Sequence, residues 1–383
     1  MDFRLTEEQE LFRRSVAEFV DREVVPAARA LDEARAFPMP LFRKLGDLGY
    51  FGARYPERYG GTDAGNVCFA LMIEELARGC LGLAASCLMQ SLMGTNFLHA
   101  FGTEEQKARL LVPAIRGERI GTIAMTEPDF GSDLGGIQTR AVREGDGWVL
   151  TGRKMWITSA TVADFFTVAA KTDPEAGLKG IDLFLVERGA KGLSVGREIQ
   201  KLGTWSSETS EVSLDGVRVP AENLLGAQGT GFRNLSDLLC EIRIMTGALG
   251  VGLARAALGA SLRYGRERVQ FGKPIEQFQA VSHRQAETAT EIEAARWLVY
   301  RAAWGLDAGE RDVALAAMAK LFATEVANRA ADGATRIFGS YGYAMEYEAQ
   351  RYFRDARFLL YGGGTSEILR SVIAKGIQER RGG

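Results

Sequence analysis

Histidine and cysteine, which most often carry metal or nucleophilic chemistry, are scarce in this chain. Its 383 residues include two histidines, His99 and His283. That is too few for a histidine-built metal site or a Ser–His–Asp triad, so no metal is expected. The four cysteines, Cys68, Cys80, Cys87 and Cys240, include no C-x-x-C pair and lie in apolar helical contexts. They read as buried, reduced thiols. Chemistry then falls to a carboxylate or an organic cofactor. Near the C-terminus, "DARFLLYGGGTSEILRS" sets three glycines between a tyrosine and a helix start. Glycine accepts positive φ and lets a ligand approach the backbone, so something is expected to come close there.

Three segments must position such a site. Thr6-Glu7-Glu8-Gln9 and Thr103-Glu104-Glu105-Gln106 are capping boxes. They bracket an N-terminal region with apolar residues at helical spacing. From about Gly121 the chain breaks into short β-branched and aromatic runs punctuated by Gly, Asp and Asn, which predicts antiparallel hairpins. Past Gly231 it turns helical again, with one long Gly/Ala-rich helix or two and further amphipathic helices behind. The expected fold is α+β, mostly α. It comprises a helical domain over 1–121, a β domain over 122–228 and a four-helix-bundle-like domain over 229–383. Formal net charge is −2, with no basic run, so neither nucleic acid nor an anionic membrane is an expected partner. No apolar stretch reads as the roughly 20 residues that span a bilayer. The charged N-terminus lacks a signal-peptide core, and a cytoplasmic location is expected.

Three motifs, in order and spread over the whole chain, resemble the acyl-CoA dehydrogenase family: "AMTEPDFGSDLGG" (124–136), "KMWITSA" (154–160) and "RERVQFGKPIEQFQA" (266–280). A fourth stretch, "RIFGSYGYAMEYEAQRYFRDAR", is similar to the family's C-terminal signature, with Arg336 in place of the usual Gln. Phe130 stands where the family has a small residue, and Ser159 where it has Asn or Gly.

The resemblance implies FAD as cofactor. Thr126 would bond the flavin's pyrimidine edge, Trp156 would lie against its ring and Thr158 would donate toward its N5, with Met125 also at the cofactor. Ser132 would lie near the cofactor and the bound thioester arm. Arg268, Phe271 and Gln279 would hold the pyrophosphate and adenosine half, a planar guanidinium matching two phosphate oxygens. Arg336, Gly339 and Ser340 would reach the FAD of a neighbouring subunit, which implies a homo-oligomer, at family precedent a homotetramer. Thr365 and Glu367 would contact FAD, and Arg243 the substrate.

The implied reaction removes a proton from Cα and a hydride from Cβ of an acyl thioester. In most members the base is a Glu in a "Y-E-G-T" loop. Aligned here, that position is Gly363, whose N–H remains available to the thioester carbonyl. In a minority the base precedes an Arg on a helix. That Arg corresponds to Arg243, which puts Ile242 at the base position and Glu241 one residue earlier. One residue turns a helix by about 100°, so Glu241 serves as base only if a π-bulge swings it inward. Otherwise it is a helix-surface carboxylate. The expected function is an FAD-dependent dehydrogenase of an acyl-CoA or acyl-carrier-protein thioester, passing electrons to an electron-transferring flavoprotein. The alternatives are a family member that acts on a thioester without ordinary desaturation, for example by eliminating sulfinate, and a flavin-binding protein without turnover.

Overall fold

The computed structural model describes residues 4–381. Its N-terminal part is helical: α1 (Glu7–Phe19), α2 (Val25–Ala34), α3 (Met39–Asp47), α4 (Gly65–Gly79), α5 (Leu81–Leu88), α6 (Asn96–Phe101), α7 (Glu104–Gln106) and α8 (Val112–Ile115). Both capping boxes form, Thr6 with Gln9 and Thr103 with Gln106. The four thiols are buried and unpaired. Burial pushes the Cys87 thiol up to about 12, which keeps it un-ionised and inert.

The central strands are β1 (Gly121–Ala124), β2 (Arg140–Glu144), β3 (Gly147–Thr158), β4 (Phe165–Lys171), β5 (Ile181–Glu187), β6 (Leu193–Glu198) and β7 (Thr209–Pro220). They form one sheet in the order β1-β4-β2-β3-β7-β6, with β5 on the other side of β4. The expectation of antiparallel hairpins alone is corrected, because β1 and β2 both run parallel to β4. β4 and β5 are buried nearly end to end. That is why "FFTVAA" and "IDLFLV" read as unbroken apolar runs rather than alternating ones.

The C-terminal part is α9 (Gly231–Glu267), a short β8–β9 hairpin (Val269–Gln270, Lys273–Pro274), α10 (Gln279–Asp307), α11 (Val313–Phe338), α12 (Glu348–Ala356) and α13 (Ser366–Arg381). The Gly/Ala-rich stretch is a single helix of 37 residues. By length and composition, α9 and the run Leu81–Phe101 could each cross a membrane, which corrects the reading that no stretch is apolar enough. Both are instead mostly buried inside the fold.

Glycines let α9 sit close to its neighbours. A methyl at Gly252 would overlap the Glu74 carbonyl oxygen of α4, and one at Gly250 would lie 2.8 Å from the Ala323 oxygen of α11. The Glu74 carboxylate, buried under the same contact, accepts from Arg255 of α9 at 2.8 Å and from Tyr300 of α10 at 2.8 Å. The β domain is tied to this bundle at both ends. Asp182 of β5 accepts the backbone N–H of Gly229 and Gly231 where α9 begins. Asp355, at the end of α12, accepts the Thr204 N–H at 2.6 Å. Burial raises the Asp355 carboxyl to about 6 against the hydrogen bond that opposes it.

Two expectations follow from these contacts. In a helix, Gly→Ala gains about 1 kcal/mol of propensity, whereas forcing a methyl into backbone loses about 1–3 kcal/mol. Gly252→Ala should therefore lower the denaturant midpoint. Gly259→Ala, which meets only the Arg263 side chain at 3.6 Å, should raise it. Asp355 binds its proton more tightly folded than unfolded. The stability it contributes therefore falls as pH rises from about 4 to about 6 and is flat above. Calorimetry of Asp355→Asn should show the variant gaining melting temperature on the parent across that window; a constant gap would clear Asp355 of the effect.

Candidate active site

The first wall of the site is built on β1 and β3. Met125 and Thr126 follow β1, and the Met155 N–H donates to the Thr126 carbonyl at 2.8 Å, holding the 125–136 loop on β3. The knot beneath is Glu127. Its buried carboxylate accepts the Gln138 N–H at 2.6 Å, the Thr139 N–H at 2.9 Å, the Thr139 hydroxyl at 2.6 Å and Lys154 Nζ at 2.8 Å. Lys154 Nζ also donates to the Met125 carbonyl at 3.0 Å. Burial lowers Lys154 to about 8, while Lys154 and the N–H donors hold Glu127 below the usual carboxylate range despite its burial. Four donors on one carboxylate keep the pair ionised, and they bind Glu127 to the loop's structure.

Above this knot the β3–β7 register shifts between Lys154 and Ile157, and Trp156 sits at φ +63° with its indole 56% exposed. A bulky residue in the left-handed region costs about 1–2 kcal/mol and is held there by the bulge. Ser159 is also left-handed, at φ +62°, and its buried hydroxyl has no partner. That conformation suits the Asn or Gly usual at this position. The Thr126 and Thr158 hydroxyls, half-exposed beside Trp156 in the same wall, make no protein hydrogen bond among the described residues. An aromatic face with free hydroxyl donors beside it fits a flavin ring. Ser132 is exposed on the loop. Phe130 folds back onto Gly136 within the loop.

A second group lies at the end of α9. Arg268 caps the helix, is exposed, and meets the Tyr341 ring at 5.7 Å rather than a carboxylate. Phe271 stands at φ +51° and is 93% exposed. Gln279 begins α10, and Gly339 and Ser340 are exposed in the turn beside Tyr341. Arg336 pairs with Asp332 at 2.6 Å and lines a groove of about 690 Å³ between α10 and α11, with Arg284, Glu287, Glu291 and Arg329. A free guanidinium and a fully presented phenyl ring suit a pyrophosphate and an aromatic base lying outside this chain's own core.

The third group surrounds the glycines. Gly363 and Gly364 have φ of +73° and +108°. A Cβ on Gly363 would lie 3.2 Å from the Thr246 hydroxyl and 3.4 Å from Ile242 Cγ2. The loop position Gly363 and the helix position Ile242 therefore face each other, and neither carries a carboxylate. α9 is regular α-helix through this region. The π-bulge required for Glu241 to turn inward does not form, and π-helical turns occur in the N-terminal domain instead. Glu241 is ion-paired with Arg54 of the N-terminal domain and lies 3.5 Å from Arg311. Thr365 Oγ1 accepts the Ile368 N–H at 3.3 Å, and Glu367 is exposed beside Arg370.

Arg243 is buried, and burial lowers its pKa. Among the described residues it has no carboxylate partner, and its Nε has no acceptor. Lys320 of α11 is fully buried, donates to the Gly364 carbonyl at 2.7 Å, and is held down to about 8 by burial. Lys320, Thr246 and the Glu127–Lys154 pair were not among the residues picked from the sequence. Lys320 had a signal, as the one charge in "VALAAMAKLFAT".

The chain matches the family models for the N-terminal, middle and C-terminal domains of acyl-CoA dehydrogenases over residues 6–118, 122–217 and 229–378. It is 54% identical to the benzylmalonyl-CoA dehydrogenase of Aromatoleum aromaticum, over 98% of this chain and 99% of that one. It superposes on butyryl-CoA dehydrogenase from Megasphaera elsdenii with a TM-score of 0.96 at 37% identity, covering 99% of this chain and 100% of that one. The prolyl acyl carrier protein oxidase AnaB aligns with a TM-score of 0.94 at 33% identity, over 98% and 100%. With matching models spanning all three domains, the chain belongs to the acyl-CoA dehydrogenase family of flavin-dependent oxidoreductases.

Proposed function

We propose that this chain binds FAD and forms an α,β-double bond in an acyl-CoA thioester, with no carboxylate of its own facing Cα. The observation that carries the flavin assignment is the left-handed, exposed Trp156 flanked by the free hydroxyls of Thr126 and Thr158. When bound, FAD supplies a hydride acceptor at its N5. Thr126 and Thr158 would hydrogen-bond the ring's polar edge, with Trp156 against its face. Arg268 and Phe271 would hold the pyrophosphate and adenosine, completed by Gln279. Arg336, Gly339 and Ser340 would serve a neighbouring subunit's cofactor, so the working form is a homo-oligomer, on family precedent a tetramer. Electrons would pass on to an electron-transferring flavoprotein.

At the substrate, the Gly363 N–H would donate to the thioester carbonyl as enolate charge develops. A substituted Cα would lie against Gly363, Ile242 and Thr246. The named substrate of the Aromatoleum relative is such a compound, a malonyl thioester bearing a carboxyl on Cα. A second reading, a thioester on a carrier protein, is favoured by the likeness to the carrier protein oxidase, since both carriers present the same arm.

Arg268→Ala should lose cofactor rather than turnover alone. Hydrogen bonds to a charged group contribute about 1.5–3 kcal/mol, so FAD should bind roughly ten- to hundredfold more weakly. Full flavin absorbance in the purified variant would remove Arg268 from the site. Glu241→Gln should leave the rate of flavin reduction within about threefold of the parent. A fall of the ~10²–10⁴-fold typical of a lost general base, in a variant that still binds thioester, would make Glu241 the base after all.

A further inference from the structure

Lys154 and Glu127 carry charge inside the flavin wall, and nothing in the proposed reaction uses either. Replacing a buried ion pair by well-packed apolar residues is often neutral or stabilising. Holding the 125–136 loop on β3 is therefore not by itself a reason for charge here. The two partners are also bonded unequally. Glu127 spreads its charge over four donors: Lys154 Nζ, the Gln138 and Thr139 N–H groups, and the Thr139 hydroxyl. Lys154 has one other acceptor, the Met125 carbonyl at 3.0 Å. That carbonyl and the Thr126 N–H are the two ends of a single peptide unit. A cation on the oxygen draws charge out of the amide nitrogen and makes the N–H a stronger donor, more so where the dielectric is low. The Thr126 N–H makes no hydrogen bond among the described residues, although the carbonyl of the same residue accepts the Met155 N–H at 2.8 Å. A strengthened, unused donor thus accompanies the free Thr126 hydroxyl in the wall that Trp156 and Thr158 share.

We propose that Lys154 is a positioning residue that sets the reduction potential of the flavin. Acting through the Met125–Thr126 peptide, its ammonium strengthens the donor at the pyrimidine edge, and Glu127 holds the ammonium there. The proposal rests on the flavin reading above. Hydride arriving at N5 brings an electron pair, and the negative charge it adds is delocalised toward the N1–C2 side of the pyrimidine ring. A donor strengthened at that edge favours the reduced ring over the oxidised one. The carboxylate acts in the opposite sense, because it draws the ammonium's charge away from the Met125 carbonyl. Lys154 is fully buried and Glu127 nearly so, so salt screens neither charge much. The balance between the two is a property of the protein that the cofactor inherits. A residue that only anchored the loop would leave the potential alone as long as the loop kept its shape.

The test is the two-electron reduction potential of the FAD-loaded protein, measured by equilibration with a reference dye. It is made at mildly acid pH, where Lys154, lowered by burial to about 8, keeps its proton. The parent is compared with Lys154→Met, Glu127→Gln and the double variant. Lys154→Met should lower the potential by roughly tenfold in the equilibrium constant for reduction, about 30 mV for two electrons. Glu127→Gln should raise it, by about threefold or more in the same constant. The double variant, with neither charge, should lie between the two single ones. Each shift should persist at high salt, as the effect of a surface charge would not. Shifts of the same sign in both single variants, or of less than about twofold in either, make the pair a loop anchor and overturn the proposal. Loss of flavin from either single variant, whatever the double variant does, has the same meaning and overturns it too. The flavin reading stands in each of those cases. A parent protein that binds no FAD overturns both.

Discussion

Close backbone contact along α9 is the constraint on which the rest of the molecule rests. At Gly247, Gly250 and Gly252 the helix leaves no room for a side chain of its own against the backbone of α4 and α11 and against Val299 of α10. Glu74 serves this contact twice, its carbonyl setting the spacing at Gly252 and its carboxylate gathering Arg255 and Tyr300. Because α9 is fixed on both sides, its upper turn presents Ile242 and Thr246 at a defined height beneath the glycine loop. The loop is held by the Lys320 ammonium on the Gly364 carbonyl, and α12 ahead of it is tied to the β domain by Asp355 on the Thr204 N–H. The site is therefore assembled from rigid pieces of two domains, as catalytic positioning demands.

The flavin wall follows a different logic, with strain held above a charged knot. Trp156 occupies a backbone region that its side chain disfavours, and where the β3 register shifts just before it Lys154 reaches Glu127. The same carboxylate gathers the 125–136 loop through three further donors. One buried ion pair thus coordinates the two strands that carry Thr126, Trp156 and Thr158. Its members sit next to the cofactor positions in sequence without belonging to them.

Much of this was legible in the chain. The capping boxes, the three-segment order and the flavin motifs are local patterns, and local patterns survive folding. The conflict at the base position was legible too, because helical phase alone sets Ile242 apart from Glu241. The parallel pairing of β1 and β2 with β4 was not, since it joins Gly121 to Phe165 and Arg140 to Lys171 and no turn signal records it. Nor could the sequence show that Arg243 and Lys320 lack counter-ions. Whether a charge is paired depends on which helices meet, and Arg54 had to come from another domain to claim Glu241.

The geometry of Gly363 also limits what the loop can become. A carboxylate placed at this position would need an L-residue at φ +73°, at a cost of about 1–2 kcal/mol, with its Cβ already 3.2 Å from the Thr246 hydroxyl. Such a change is uphill unless residue 246 or the loop moves with it. The two positions are therefore tied, and a larger residue at 363 is tolerated only with an answering change at 246.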